Sequence, residues 1–401
     1  MILATIIDFM NIRSIKEIKN LKNKRVLLRV DFNVPIKNGK VLDDYKIQKS
    51  LPTIKYLLKK GAAIVIVSHL GRPRGVEKKL TLAPVARQLE KLLGELVRLK
   101  KIKRLEDLKI NSSSNKKGIV MLENIRFLAG EEKNDPGLAK ALATLADIFV
   151  LDGFGVSHRA AASVSGVAKY LPSYAGLLLM EEVEVLSRVM NKPKRPLTVI
   201  LGGAKVETKF PILKNLLPKA DHILVGGGIG NTYLWATGHA VGKSLIDKEF
   251  KNEIIKYCRN KKVVTPVDVL LGEANGKNAR VVQVKDLKSK IISGKLAIYD
   301  IGPQTVQLFS QYIKKAETLI YNGALGMFEQ HPYEFGTDAV TQLFASRSKG
   351  QAFGVCGGGE TNEILRAMNL FADVDFVSTG GGAMLEFLAG NRLPGIEALK
   401  K

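Results

Sequence analysis

Arg25-Val26-Leu27-Leu28-Arg29-Val30-Asp31 and Ala62-Ala63-Ile64-Val65-Ile66-Val67-Ser68 decide the fold. Each is a short aliphatic run that ends in polar residues rather than in a tight hairpin turn. Between them Ile47, Leu51, Ile54 and Leu58 recur at three- and four-residue spacing, which predicts an amphipathic helix. Strand, crossover helix and strand in this order predict a parallel pair. The pattern continues at Gly118 to Glu123 and Asp147 to Asp152. It resumes at Leu197 to Leu201, His222 to Val225, Leu296 to Asp300, Thr318 to Tyr321, Ala352 to Val355 and Phe376 to Ser378. A helix from about Leu177 to Val189 runs into Asn191-Lys192-Pro193-Lys194-Arg195-Pro196, where proline breaks it. The reading is α/β: two open parallel-sheet, Rossmann-like domains joined by a helical hinge. The first runs to residue 178, the connector is 179–195, and the second starts at 196.

Length supports that division, because 401 residues at roughly 100 to 200 per domain call for two or three cores. Charge is less ordinary. Lys and Arg number 62 against 38 Asp and Glu, a net +24 with a sequence pI near 9.8, which predicts anionic partners without choosing among them. Cys258 and Cys356 are far apart and lack metal-ligand spacing, so neither a disulfide framework nor a zinc site is supported and a reducing compartment is expected. Met1 to Met10 lacks a basic n-region and a small-residue cleavage site. Nor does any stretch approach the roughly 18 apolar residues of a membrane span. A soluble, cytoplasmic protein is the expectation. Asn111 to Lys117 is polar and predicts a solvated loop.

In open α/β sheets, ligands bind beyond the carboxyl ends of the strands. After the first-half strands stand Asp31-Phe32-Asn33, Ser68-His69-Leu70-Gly71-Arg72-Pro73, Glu123-Asn124-Ile125-Arg126, and Asp152-Gly153-Phe154-Gly155 leading to His158-Arg159. Any one arginine is most simply a solvated surface residue. Three of them with two histidines at one topological position suit a small ligand carrying carboxylate and phosphate. After the second-half strands stand Gly202-Gly203-Ala204-Lys205, Gly226-Gly227-Gly228, Asn322-Gly323, Gly357-Gly358-Gly359-Glu360-Thr361 and Ser378-Thr379-Gly380-Gly381-Gly382. One such cluster can be a tight turn. Five in succession point to backbone N–H groups and helix N-termini facing phosphate. Neither standard nucleotide signature is met, because position 231 is Asn where G-x-G-x-x-G needs Gly and position 237 is Thr where the P-loop pattern needs Gly.

These residues carry a resemblance. Arg29 to Pro35, Ser68 to Pro73, Glu123 to Phe127 with Gly130-Glu131, and Gly155 to Arg159 resemble amino-domain signatures of phosphoglycerate kinase. Ile200 to Lys209, Ile301-Gly302-Pro303, Asn322-Gly323 with Phe328-Glu329, and Ser378 to Leu385 with Leu393-Pro394-Gly395 resemble its carboxy-domain signatures. The resemblance implies that Asp31, Asn33, Lys46, His69, Arg72, Arg126, His158 and Arg159 hold 3-phosphoglycerate, with Arg29 in support. It implies that Lys205 faces the transferring phosphoryl group, with Lys46 and Arg72 as further catalytic residues. Nucleotide contacts are implied for Gly203, Lys205, Lys209, Gly227, Gly228, Asn322, Glu329, Gly358, Gly359, Glu360, Thr361, Gly380, Gly381 and Gly382. Mg²⁺ would accompany ATP and ADP at Glu360. The last residues, from about 390, would return to the first domain and leave 196–389 as the nucleotide domain. A monomer and closure of the domains about the connector are implied as well, with Glu184 at the position of a hinge-associated acid.

Several positions depart from the family pattern. Lys46 stands for an arginine, Ala161 for a histidine, and Glu360 for a magnesium-associated aspartate. Tyr321 and Ala324 stand for a tryptophan and a proline beside the nucleotide, and Phe376 for a histidine. A catalytically impaired relative is therefore one alternative. A basic nucleic-acid-binding protein is another, although aromatics are only 6% and no basic stretch is interleaved with stacking residues. The chain could start at Met1 or at Met10.

Overall fold

The computed structural model describes residues 11–108, 118–288 and 294–400. The expectations for Met1 to Met10 and for the loop Asn111 to Lys117 lie outside the described residues. The chain forms two compact units. One runs to Glu184 and takes back Arg392 onward; the other is Val185–Asn391.

The first unit holds a six-stranded parallel sheet. Its spatial order is Val97–Lys100, Ile119–Leu122, Ala63–Val67, Arg25–Arg29, Ile148–Leu151 and Ser173–Ala175. Val26, Leu27, Leu28, Ile64 and Ile66 are buried, as strands covered on both faces require. The crossover helix Tyr45–Lys59 buries Ile47, Ile54 and Leu57, while Leu51 and Leu58 pack at the margin of the core. Two strands of this sheet are absent from the sequence expectation: Val97–Lys100 alternates with basic residues, and Ser173–Ala175 is only three residues long.

The second unit repeats the plan in the order Val263–Val264, His222–Val225, Leu197–Leu201, Thr318–Asn322, Phe353–Cys356 and Phe376–Val377, all parallel. One expectation is corrected. The run expected at Leu296 to Asp300 forms Ala297–Ile301 and leaves the main sheet, pairing antiparallel with Asp268–Gly272, which also pairs antiparallel with Arg280–Gln283. A β-branched run looks alike whichever way its neighbour points. The connection of Asp268–Gly272 to Arg280–Gln283 is short, with Gly276 and Asn278 at positive φ, and a connection of that length cannot contain a crossover helix.

The chain leaves the first unit through the helix Leu177–Asn191, whose amino end is anchored in that unit. Thr53 Oγ1 accepts from the Leu177 N–H at 3.0 Å, and Asp152 Oδ1 accepts from those of Leu178 and Leu179 at 3.0 and 3.4 Å. Burial pushes the Asp152 carboxyl up to about 7. At the carboxyl terminus, the Gly395 N–H donates to Ser157 O at 2.8 Å and the Arg13 N–H to Leu399 O at 3.2 Å.

Candidate active site

In the first unit, four carboxyl strand ends assemble a cationic cluster around a buried acid. Asp31, which follows Arg25–Arg29, meets Lys46 Nζ at 2.7 Å and His69 Nδ1 at 3.9 Å. Burial alone would raise the Asp31 pKa, but the Lys46 ammonium and the other nearby cations hold it down to about 2. His69 is pushed well below its usual value by burial, so it is neutral. Arg29 Nη2 lies 3.4 Å from His69 Nδ1, and because a guanidinium can only donate, this contact favours the tautomer with the ring proton on Nε2.

Asn33, Arg72 and Arg126 belong to a neighbouring knot. Asn33 Oδ1 accepts from the Gly71 N–H at 2.9 Å, and Arg126 Nη1 donates to Gly71 O at 2.6 Å. The loop carrying Arg72 is thus pinned while Arg72 itself is exposed. Arg126 is lowered by partial burial and by the like charges of Arg159 and Arg72. A cavity of about 230 Å³ opens among Arg29, Arg126, Arg159, Ala160 and Ala161. His158, partly buried, does not line it. Ala161 supplies small apolar surface where the family pattern has a histidine.

The sequence reading missed the supports of this cluster. Glu131 receives the Ser163 hydroxyl at 2.6 Å and the Ser163 N–H at 3.0 Å, and Ser163 Oγ accepts from Arg29 Nε at 2.8 Å. Glu123 accepts from Thr81 Oγ1 at 2.6 Å and from the Leu82 N–H at 2.7 Å; Asn124 Nδ2 donates to Leu70 O at 2.8 Å and to Leu80 O at 3.0 Å. Glu131, Glu123 and Asn124 stand inside the motifs that carry the family resemblance, so their position offers a signal. Ser163 offers none.

In the second unit, all five glycine clusters fall at carboxyl ends of the main sheet. Four helices begin there: Val206–Leu216, Gly227–Ala236, Gly359–Ala367 and Gly381–Leu388. Gly203 has φ +94°, a conformation that L side chains rarely adopt, so the backbone requires glycine there; a Cβ would also lie 2.8 Å from Lys209 Cε and 3.1 Å from Glu360 Oε2. Gly359 differs, because a Cβ there would meet nothing within 4 Å. Lys205 is exposed at the first of these helix starts, whereas Lys209 is buried. The Lys209 ammonium donates to Asn322 Oδ1, and burial lowers its pKa against the opposing pull of Glu360.

Two expected nucleotide contacts lie deeper than the sequence implied. Asn322 and Thr361 are completely buried. Asn322 Nδ2 donates to Gly357 O at 2.5 Å and Thr361 Oγ1 accepts from the Gly323 N–H at 2.8 Å, so both tie adjacent glycine loops together. Tyr321 is buried too, its hydroxyl 3.1 Å from Thr341 Oγ1, and does not line the adjacent cavity, whereas Ala324 does. That cavity, of about 350 Å³, is bounded by Gly203, Gly228, Leu245, Ile298, Tyr299, Met327, Phe328, Glu329 and Glu360. Its mostly apolar wall, with the two carboxylates Glu329 and Glu360 and the ammonium of Lys243, suits a flat base with a polar tail. Gly358 and the Gly380 to Gly382 turn lie outside this wall, by the last two helix starts. Among the described residues no three His, Cys, Asp or Glu side chains cluster as a metal cage. A single carboxylate, Glu360, fits Mg²⁺ that takes its remaining ligands from nucleotide phosphates and water.

The family model that matches this chain is phosphoglycerate kinase, over residues 15–391. The chain belongs to the phosphoglycerate kinase family. It is 42% identical over 389 residues to the phosphoglycerate kinase of Pelotomaculum thermopropionicum, covering 95% of this chain and 97% of that one. It is also 42% identical to that of Dictyoglomus turgidum, over 393 residues with the same coverage. Among solved structures, the phosphoglycerate kinase from Coxiella burnetii superposes with a TM-score of 0.84 at 40% identity, covering 97% of this chain and 98% of that one. The Pyrococcus horikoshii OT3 enzyme gives 0.79 at 30% identity, with 96% and 98% covered. As a phosphoglycerate kinase, the chain is a phosphotransferase with a carboxyl acceptor, moving phosphoryl reversibly between ATP and 3-phosphoglycerate. Among the described residues no helix is long and apolar enough to cross a membrane.

Proposed function

We propose that the first unit binds 3-phosphoglycerate through Arg126, Arg159, Arg72, His69 and His158, and that the second binds ATP on the glycine loops with Lys205 meeting the transferring phosphoryl group. One observation carries this assignment: cations gather at the carboxyl edge of one sheet, and glycine loops with helix N-termini gather at the same edge of the other. Asp31 holds the Lys46 ammonium in place, and Asn33 holds the Arg72 loop. Neutral His69 offers an Nε2 proton to a substrate oxygen. Lys209, Asn322 and Thr361 act by fixing loops; Glu329, at the mouth of the apolar cavity, takes the ribose.

A substrate carboxylate is already a nucleophile at neutral pH, so no side chain has to remove a proton. The barrier is electrostatic, because carboxylate and triphosphate repel while charge spreads over the transferring oxygens. Lys205, Arg72 and the helix N-termini oppose that repulsion. Mg²⁺, held through Glu360 and the phosphates, would neutralise phosphate charge. The acceptor and the nucleotide are held on separate units of one chain, so a monomer suffices and transfer requires the units to bring them together. That closure also keeps water from a hydrolysable acyl phosphate. ADP and 3-phosphoglycerate cannot react with one another, so together they trap the bound state. Small-angle scattering should then show a smaller radius of gyration with both than with either alone; equal radii would sink the closure model.

A further inference from the structure

The two arginines assigned to the substrate anion already share a carboxylate. Glu132 Oε1 lies 2.9 Å from Arg126 Nη2 and 3.8 Å from Arg159 Nη1. Arg126 spends Nη1 on Gly71 O, so its other terminal nitrogen is the one that meets Glu132. The two partners differ in exposure: the Arg126 side chain is 7% exposed and that of Glu132 is 56%. The cation is fixed and the carboxylate is on the solvent side, on a long arm. The neighbouring acid Glu131 is hydrogen-bonded to Ser163 and also favours the Arg126 charge, but Glu132 is the stronger of the two acids opposing the repulsion that Arg159 and Arg72 exert on Arg126. Ala160 and Ala161 leave the adjoining cavity open beside this pair.

We propose that Glu132 is a built-in competitor for the substrate anion. Its carboxylate occupies the Arg126–Arg159 pair in the empty site, swings to solvent when the glycerate's phosphate or carboxylate arrives, and returns as the ligand leaves. The inference rests on the assignment of Arg126 and Arg159 to substrate. Its cost follows from population arithmetic: affinity is reduced by the fraction of molecules in which the pair is closed. An ion pair with one exposed partner is weak, so the expected penalty is about two- to fivefold in Kd. The benefit is that two arginines never stand uncompensated, and that product leaves against a ready replacement.

Calorimetric titration of the full chain with 3-phosphoglycerate tests this in wild type, Glu132→Gln, Glu132→Asp and Arg126→Ala. Glu132→Gln should tighten binding about two- to fivefold, more at low salt than at high, with the KM for ATP unmoved. Glu132→Asp, which keeps the charge on a shorter arm, should fall between it and wild type. Unchanged or weaker binding in Glu132→Gln would overturn the proposal, because weaker binding is what a residue that merely braces Arg126 produces. Arg126→Ala separates the two layers of argument. If it weakens binding while Glu132→Gln fails to tighten it, only the competitor role falls; if it leaves binding unmoved, the assignment of Arg126 falls and the competitor role with it.

Discussion

Replacing Asp31 by Asn keeps the side chain's shape and removes the charge that Lys46 meets at 2.7 Å. Although burial opposes ionisation, the Lys46 charge and hydrogen bond bring the Asp31 pKa from 3.8 to about 2. One pKa unit is about 1.4 kcal/mol, so the folded state favours the ionised form by on the order of 2 kcal/mol. The folded pKa lies below the unfolded one, so as pH falls the unfolded chain takes up the proton first. The stabilisation is therefore complete above about pH 5 and lost as pH approaches the folded value. Asn has no such proton. Urea unfolding followed by circular dichroism at fixed pH should show the stability difference between wild type and Asp31→Asn narrowing by about 1 kcal/mol between pH 5 and pH 3, and by about 2 kcal/mol by pH 2. Taking the difference cancels the other carboxylates. A pH-independent gap, or one that widens in acid, would refute the Asp31–Lys46 reasoning.

Two glycine substitutions should part stability from binding. Gly359→Ala adds a methyl group to open space and should leave the thermal midpoint in place while raising the KM for ATP, because Gly359 opens one of the helices proposed to meet phosphate. Gly228→Ala drives its Cβ into the Ala204 carbonyl and should lower the midpoint by several degrees, at about 1–3 kcal/mol for overpacking. Differential scanning calorimetry with steady-state kinetics checks both; a lowered midpoint in Gly359→Ala, with ATP use unchanged, would contradict the assignment.

The parallel cores were legible because strands buried on both faces must be aliphatic throughout. Leu197–Leu201 and His222–Val225 begin and end where their composition changes. The antiparallel sheet was hidden for the same reason, since Ala297–Ile301 has the same composition whichever partner it chooses. The rim residues were legible because a strand's carboxyl end places whatever follows it. What sequence could not separate was a side chain that meets ligand from one that holds its neighbour. Lys205 and Lys209 are four residues apart in one motif, yet one is exposed and the other is buried against Asn322. Glu132 carried no pattern at all; its meaning comes from two arginines that only the fold brings to it.

The central claim is that phosphoryl passes from ATP to a substrate carboxylate with Lys205 stabilising the transfer. Hydroxylamine trapping reads this directly, because it converts an acyl phosphate into a hydroxamate. With ATP, Mg²⁺ and 3-phosphoglycerate, hydroxamate should form one for one with ADP, and Lys205→Ala should slow it by about a thousandfold while its melting profile is unchanged. ADP released without hydroxamate, or near-normal hydroxamate formation by Lys205→Ala, would contradict the account.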